Sequence, residues 1–227
     1  VYPTKTVCAL TIEMIGIPAE GYFYIYLGSG PERDFSMRKC LLKLSQEKPP
    51  GAVIVPIDTK VGGINHDYTK RPVASILHDA AGTERCLGVF DSISCTTWAA
   101  SLWLPMPDGS PGVPYRDIDN KLGIRRSDGT LSDKVVTANI ECEHAAEIAY
   151  PVLARGALFI KEQPARRNPN KCVAKHALKG CTRMTHMFDH PAWARLTQKF
   201  GLLEKTWEQC TKEDEIDPRK TSAKATA

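Results

Sequence analysis

Eight cysteines, at positions 8, 40, 86, 95, 142, 172, 181 and 210, limit what this chain can be more than any other feature. They are even in number and dispersed. No Cys-x-x-Cys pair occurs, and the shortest spacings, Cys86 to Cys95 and Cys172 to Cys181, leave eight residues between partners. Zinc ribbons need two short chelating pairs and thioredoxin-like chemistry needs vicinal thiols, so no metal site of that kind is expected. Scattered cysteines are oxidation liabilities in a reducing compartment and cross-links in an oxidising one. The expectation is a secreted, extracellular protein with Cys8, Cys40, Cys86, Cys95, Cys142, Cys172, Cys181 and Cys210 in disulfides. The start at Val1, without Met or an apolar leader, reads as a mature protein after signal removal.

Composition agrees with a folded chain. Hydrophobic residues make up 42% of the 227 and charged residues 25%, the balance of a globular protein. No apolar run approaches the roughly 18–20 residues that span a bilayer, so no membrane span is expected. Lys+Arg 30 against Asp+Glu 26 leaves +4, too mild a surplus to call for nucleic acid.

Periodicity predicts strands first and helices later. Alternation of Cys8, Leu10, Ile12 and Met14 predicts a strand over 6–14. Gly21–Leu27 sets Tyr22, Tyr24 and Tyr26 against Phe23, Ile25 and Leu27, the clearest strand pattern in the chain. The turn residues between the two predict a hairpin. Asp34 caps a predicted helix over 35–46, and Ala52–Ile57 reads as an edge strand because it contains Pro56. Further strands are predicted at Val73–His78 and Cys86–Ser94. Trp98–Leu104 fits either a strand or a helical turn. Beyond Asp133 a helix is predicted from Ile140, distorted by Pro151, and another from an Asp189 cap to about Phe200, followed by helix over Leu202–Cys210. The expected class is α+β, disulfide-stabilised: a strand-rich half over 1–104, a Pro/Gly-rich connection over 105–133, a helix-rich half over 134–211 and a tail over 212–227.

The densest polar run is Glu141-Cys142-Glu143-His144-Ala145-Ala146-Glu147. On a helix, Glu143, His144 and Glu147 share a side, and an imidazole beside a carboxylate is the minimum for general acid–base chemistry. A hydrolase or nuclease using His144 with Glu143 or Glu147 is one expectation. His186 and His190 are four apart, but Met187 stands where a zincin needs Glu and Pro191 follows, so a structural role is expected there. Asp58, His66, Asp67, His78 and Asp79 are polar residues that a fold could gather. Gly28-Ser29-Gly30 follows a strand but continues Pro31-Glu32, which reads as a turn; no nucleotide motif is present and no cofactor is expected. Arg166, Arg167, Lys171, Lys175, Lys179 and Arg183 form a basic cluster suited to an anionic partner. Trp98, Trp103 and the three tyrosines are expected in the core, or else as platforms for polysaccharide.

The run Ile140–Ile148 resembles an acid-His-apolar-apolar-Glu-Leu-Gln pattern of some secreted fungal proteins, among them killer-toxin-like chitinase chains and cysteine-rich effectors. The likeness spans nine residues and departs at Ala149. It implies a fungal effector or toxin-like virulence factor that binds a protein or cell-surface target in another organism. Dibasic Lys70-Arg71, Arg125-Arg126 and Arg166-Arg167 would then be processing points.

Overall fold

The computed structural model describes residues 11–30, 51–98, 102, 108–110, 112–162 and 185–203. Four strands form one sheet: β1 (Phe23–Leu27), β2 (Val53–Ile57), β3 (Cys86–Asp91) and β4 (Leu158–Lys161). Their order is β2-β1-β3-β4 and every pairing is parallel. Among the described residues the longer helices are α1 (Arg71–Gly82) between β2 and β3, α2 (Asp133–Ala154) before β4, and α3 (Pro191–Phe200), with one further α-helical turn at Thr59–Gly62. Helix and strand are mixed, as the sequence predicts. The segregation into halves is looser, since α1 lies in the first half and β4 in the second.

β1 is central because both of its faces are apolar enough to bury. Phe23, Ile25 and Leu27 are fully buried on one face. On the other, Tyr26 packs with Ile54 of β2 and Phe90 of β3, and Tyr24 flanks them. The Tyr24 and Tyr26 rings stand 5.7 and 6.4 Å from the Phe90 ring, in tilted and edge-on geometry. Strands covered on both faces are the mark of parallel sheets. Tyr26 and the half-buried Tyr24 are therefore core residues, as expected, whereas Tyr22 is exposed. With β2 and β3 on its two edges, β1 has no edge left for a hairpin partner. The expected strand over 6–14 is corrected where it is described: Glu13–Ile15 is a 3₁₀ turn ended by Gly16, with Met14 exposed.

The predicted strand at Val73–His78 is helix. Pro72 occupies the first turn, and Val73, Ala74, Leu77, Ala80 and Ala81 are buried at helical spacing. A six-residue window is too short to separate the two periods once Ile76 and Val73 add β-branching. α2 begins seven residues earlier than Ile140, and Pro151 sits inside its last turns. β2 lies at one end of the described sheet order, as Pro56 requires. α3 is capped by His190, whose Nδ1 accepts from Ala192 N at 3.3 Å, and not by Asp189. Asp189 instead accepts from His186 N at 2.8 Å and closes the turn before it. His186 and His190 thus hold backbone, as expected. Leu202 and Leu203 are not helical; the rest of that predicted helix, the helix over 35–46, and the basic cluster Arg166–Arg183 lie outside the described residues.

The chain divides into two units, one of Val1–Ile93 with Ile140–Glu162 and one of Ser94–Asn139 with Gln163–Ala227. The first contains the sheet. The second is organised around Arg116, 2% exposed, which stacks 3.8 Å from the Trp98 ring centre. Its guanidinium donates to Thr97 Oγ1, the Lys121 carbonyl, Asn139 Oδ1 and the Val135 carbonyl at 2.7–3.3 Å. A buried guanidinium survives only with such a complete set of acceptors. Trp98 is accordingly a structural platform.

Cys86 is a buried free thiol. No disulfide is shown among the described residues. Cys86 and Cys142 are buried and serve as small apolar residues. Burial pushes the Cys86 thiol up to about 11, which makes it inert. Cys8, Cys40, Cys172, Cys181, Cys210 and Trp103 fall outside the described residues.

Candidate functional site

All four strands of the first unit point their carboxyl ends the same way, so the segments that follow them share one edge of the sheet. After β1 comes Gly28-Ser29-Gly30, after β2 Asp58, after β3 Ser92, and after β4 Glu162; Asp91 and Lys161 end their strands. The chain leaves β1 for β2 on one side and then crosses to β3 on the other. The order thus reverses between β1 and β3, the place where open parallel sheets take their ligands.

The turns there are stitched together by backbone. Gly28 N donates to the Ile57 carbonyl at 2.8 Å, and Ser92 N donates to the Leu27 carbonyl at 3.0 Å. Gly28 has φ +65°, and a Cβ on it would lie 2.7 Å from the Ser92 carbonyl oxygen. Only glycine satisfies both conditions. The adjoining turn is held by Asp58: one carboxylate oxygen accepts from Gly30 N at 2.9 Å, the other from Lys60 N at 2.8 Å. Each oxygen keeps a further lone-pair direction, so the carboxylate can accept additional donors.

The end of β3 is polar and dry. Asp91 is 1% exposed, accepts from Ile93 N at 3.0 Å and pairs with Lys161 Nζ at 2.7 Å. Ser92 Oγ donates to Glu162 Oε2 at 3.1 Å. Glu141 of α2 stands in the same field. Its carboxyl is pushed up to about 7 by burial first, then by the negative charges of Asp91, Asp67 and Asp58, with Lys161 opposing. The buried Tyr68 hydroxyl is likewise held well above its usual range, by burial and then by Glu141 and Asp91 among other groups. Four carboxylates thus act on one region, and the lysine beside them is already paired. Among the described residues, no three His, Cys, Asp or Glu side chains are arranged to hold a metal ion.

A raised carboxyl costs stability where it is forced to ionise. The unfolded chain releases the Glu141 proton near its ordinary value and the folded chain near 7, so this residue's contribution declines as pH climbs between those values. Glu141→Gln is expected to leave stability unchanged near pH 4 and to raise it by up to about 3 kcal/mol above pH 7. Urea unfolding of both proteins from pH 4 to pH 8 checks this; parallel curves would remove Glu141 from the acidic field.

Of the residues named from sequence, Asp58 holds this edge, and His144 reaches the segment that follows β2. The His144 Nδ1 lies 2.7 Å from the Tyr68 carbonyl oxygen. It makes no hydrogen bond to Glu143 or Glu147: Glu147 is exposed and pairs with Arg71, and Glu143 is exposed. Asp58, His66 and Asp67 all follow β2, and His66 feels the Asp58 charge. His78 and Asp79 pair with each other at 3.1 Å, exposed on α1. The run Ile140–Ile148 forms the middle of α2, where Cys142, Ala145, Ala146 and Ile148 are buried. Sequence reasoning missed Asp91, Lys161, Tyr68 and the role of Glu141, since no local pattern links them. The signal for Asp58 was present: an acid closing a strand and opening a turn, thirty residues beyond Gly28. No helix of the described residues is long and apolar enough to cross a membrane. No protein-family model, curated protein or solved structure matches this chain.

Proposed function

We propose that the first unit binds a nucleoside-type small molecule at the carboxyl edge of its sheet, one that brings hydroxyl donors and a neutral or positive charge. The observation that carries this is the position of Asp58. It ends the strand beside the central one, holds the glycine turn of β1, and keeps acceptor capacity, which is where doubly wound nucleotide-binding sheets place the acid that takes the ribose hydroxyls. The charge pattern selects among such ligands. Asp58, Asp67, Asp91 and Glu141 oppose a pyrophosphate, and Lys161 is committed to Asp91. A sulfonium nucleoside of the S-adenosylmethionine type fits both demands and would supply an electrophilic methyl group when bound. Asp58 would orient its ribose, and the surrounding carboxylates would favour its positive charge.

Calorimetric titration with S-adenosylmethionine, adenosine, NAD and ATP tests the reading. S-adenosylmethionine is expected to bind most tightly and ATP least, and Asp58→Asn is expected to weaken binding at least tenfold, the order expected when one charge-assisted hydrogen-bond acceptor is lost. Absence of binding by all four, or binding indifferent to Asp58→Asn, overturns it.

A secreted effector or toxin-like factor acting on another organism is a separate proposal, drawn from the dispersed cysteines and the short α2 resemblance. Alkylation of the denatured, unreduced protein is expected to leave most of the eight cysteines unlabelled, because bridged sulfurs do not react. Labelling of all eight cysteines would overturn the secreted, bridged reading.

A further inference from the structure

We propose that His144 receives a hydrogen bond or a proton from the ligand of the strand-end site through Nε2, with the Tyr68 carbonyl setting its tautomer. The inference rests on the ligand-binding reading above and adds a residue and a chemistry to it.

A carbonyl oxygen only accepts. The 2.7 Å contact therefore requires Nδ1 to carry hydrogen and donate it to the Tyr68 oxygen. In the neutral ring this leaves the lone pair on Nε2, which makes no hydrogen bond among the described residues. The arrangement is the one that turns histidine into an oriented base: one nitrogen anchored to backbone, the other presented. Two features tie His144 to the elements that carry the site's acids. Tyr68 closes the segment that follows β2 and starts at Asp58, and Asp67 precedes it. On α2, Glu141 lies one turn before His144, on the same side, and is under the influence of Asp91, Asp67 and Asp58. His144 is half-buried, enough to be held and open enough to be reached.

The step is a proton transfer. A ligand O–H or N–H gives its hydrogen to Nε2, the ring becomes imidazolium with Nδ1–H still on the Tyr68 oxygen, and the ligand keeps the electron pair of the broken bond. Short of full transfer, the same geometry is a hydrogen bond from a ribose hydroxyl or exocyclic amine. Glu143 and Glu147, the partners expected from sequence, take no part; the backbone of Tyr68 replaces them.

His144→Asn separates the two ends of the ring, because its amide N–H can still reach the Tyr68 oxygen while the outer acceptor is gone. Titration of wild type and His144→Asn with S-adenosylmethionine and adenosine is expected to show at least tenfold weaker binding by the variant with its circular dichroism and melting unchanged. Nitrogen-15 NMR of the wild type is expected to show His144 protonated on Nδ1 at pH 8. Equal binding by the two proteins overturns this proposal alone and leaves the strand-end site standing. An Nε2–H tautomer at pH 8 also overturns it alone. Failure of wild type to bind either probe overturns both readings.

Discussion

Gly28→Ala is expected to lower folding stability by about 3–5 kcal/mol, the range reserved for substitutions that violate backbone geometry and packing together. Two independent effects add. A side chain at φ +65° is disfavoured whatever the space around it, and its Cβ would stand 2.7 Å from the Ser92 carbonyl oxygen and 2.9 Å from that carbonyl carbon. Neither atom can move without breaking the Ser92 N to Leu27 carbonyl bond that carries β1 into register with β3. The midpoint of urea unfolding should fall while its slope stays constant. A loss below about 1 kcal/mol, the size of an ordinary surface change, would mean that the β1 and β3 turns are not in contact.

The second large effect is expected at the buried pair. Lys161→Met removes the cation from Asp91, whose side chain is wholly inaccessible, and should cost about 3–5 kcal/mol. Breaking a buried pair is costly because the remaining charge keeps neither water nor a counter-charge. Removing both charges should cost much less, so Asp91→Asn with Lys161→Met is expected to recover most of the loss, the amide oxygen still accepting from Ile93 N. The variant has a second readout. Lys161 is the cation that opposes the upward shift of Glu141, so its loss should raise the Glu141 carboxyl further above 7, seen by carbon-13 titration of labelled glutamate. A Lys161→Met protein as stable as wild type, with an unmoved Glu141, would dissolve the acidic strand-end site as a single electrostatic unit.

Much of the local structure was legible in the residues. β1 shows in Phe-Tyr-Ile-Tyr-Leu, β2 in its apolar run with Pro56 marking an edge, and α3 in Pro191 and Gly201 at its two ends. The misread segments share one cause. Val73–His78 and His144 were judged by their neighbours along the chain, yet what packs against a residue decides its role. Tyr24 and Tyr26 become core because Ile54 and Phe90 arrive beside them, from segments roughly 30 and 65 residues away. Likewise His144 looked like the partner of its own helix neighbours, and its bond goes instead to a carbonyl 76 residues back in the chain.

Sequence by itself determined what backbone chemistry dictates locally: glycines where φ must be positive, prolines at a strand edge and a helix start, and side chains able to bury two faces of a strand. Tertiary structure decided which ends meet. The parallel order β2-β1-β3-β4 brings Gly28, Asp58, Asp91, Lys161 and Glu141 to one edge of a sheet, and only there do they acquire a shared field. Charge interactions act through space and over several ångströms, whereas periodicity reports only neighbours along the chain. An acid at the end of a strand is ordinary; Asp58, Asp67 and Asp91 acting together on Glu141, with Lys161 opposing them, make a site.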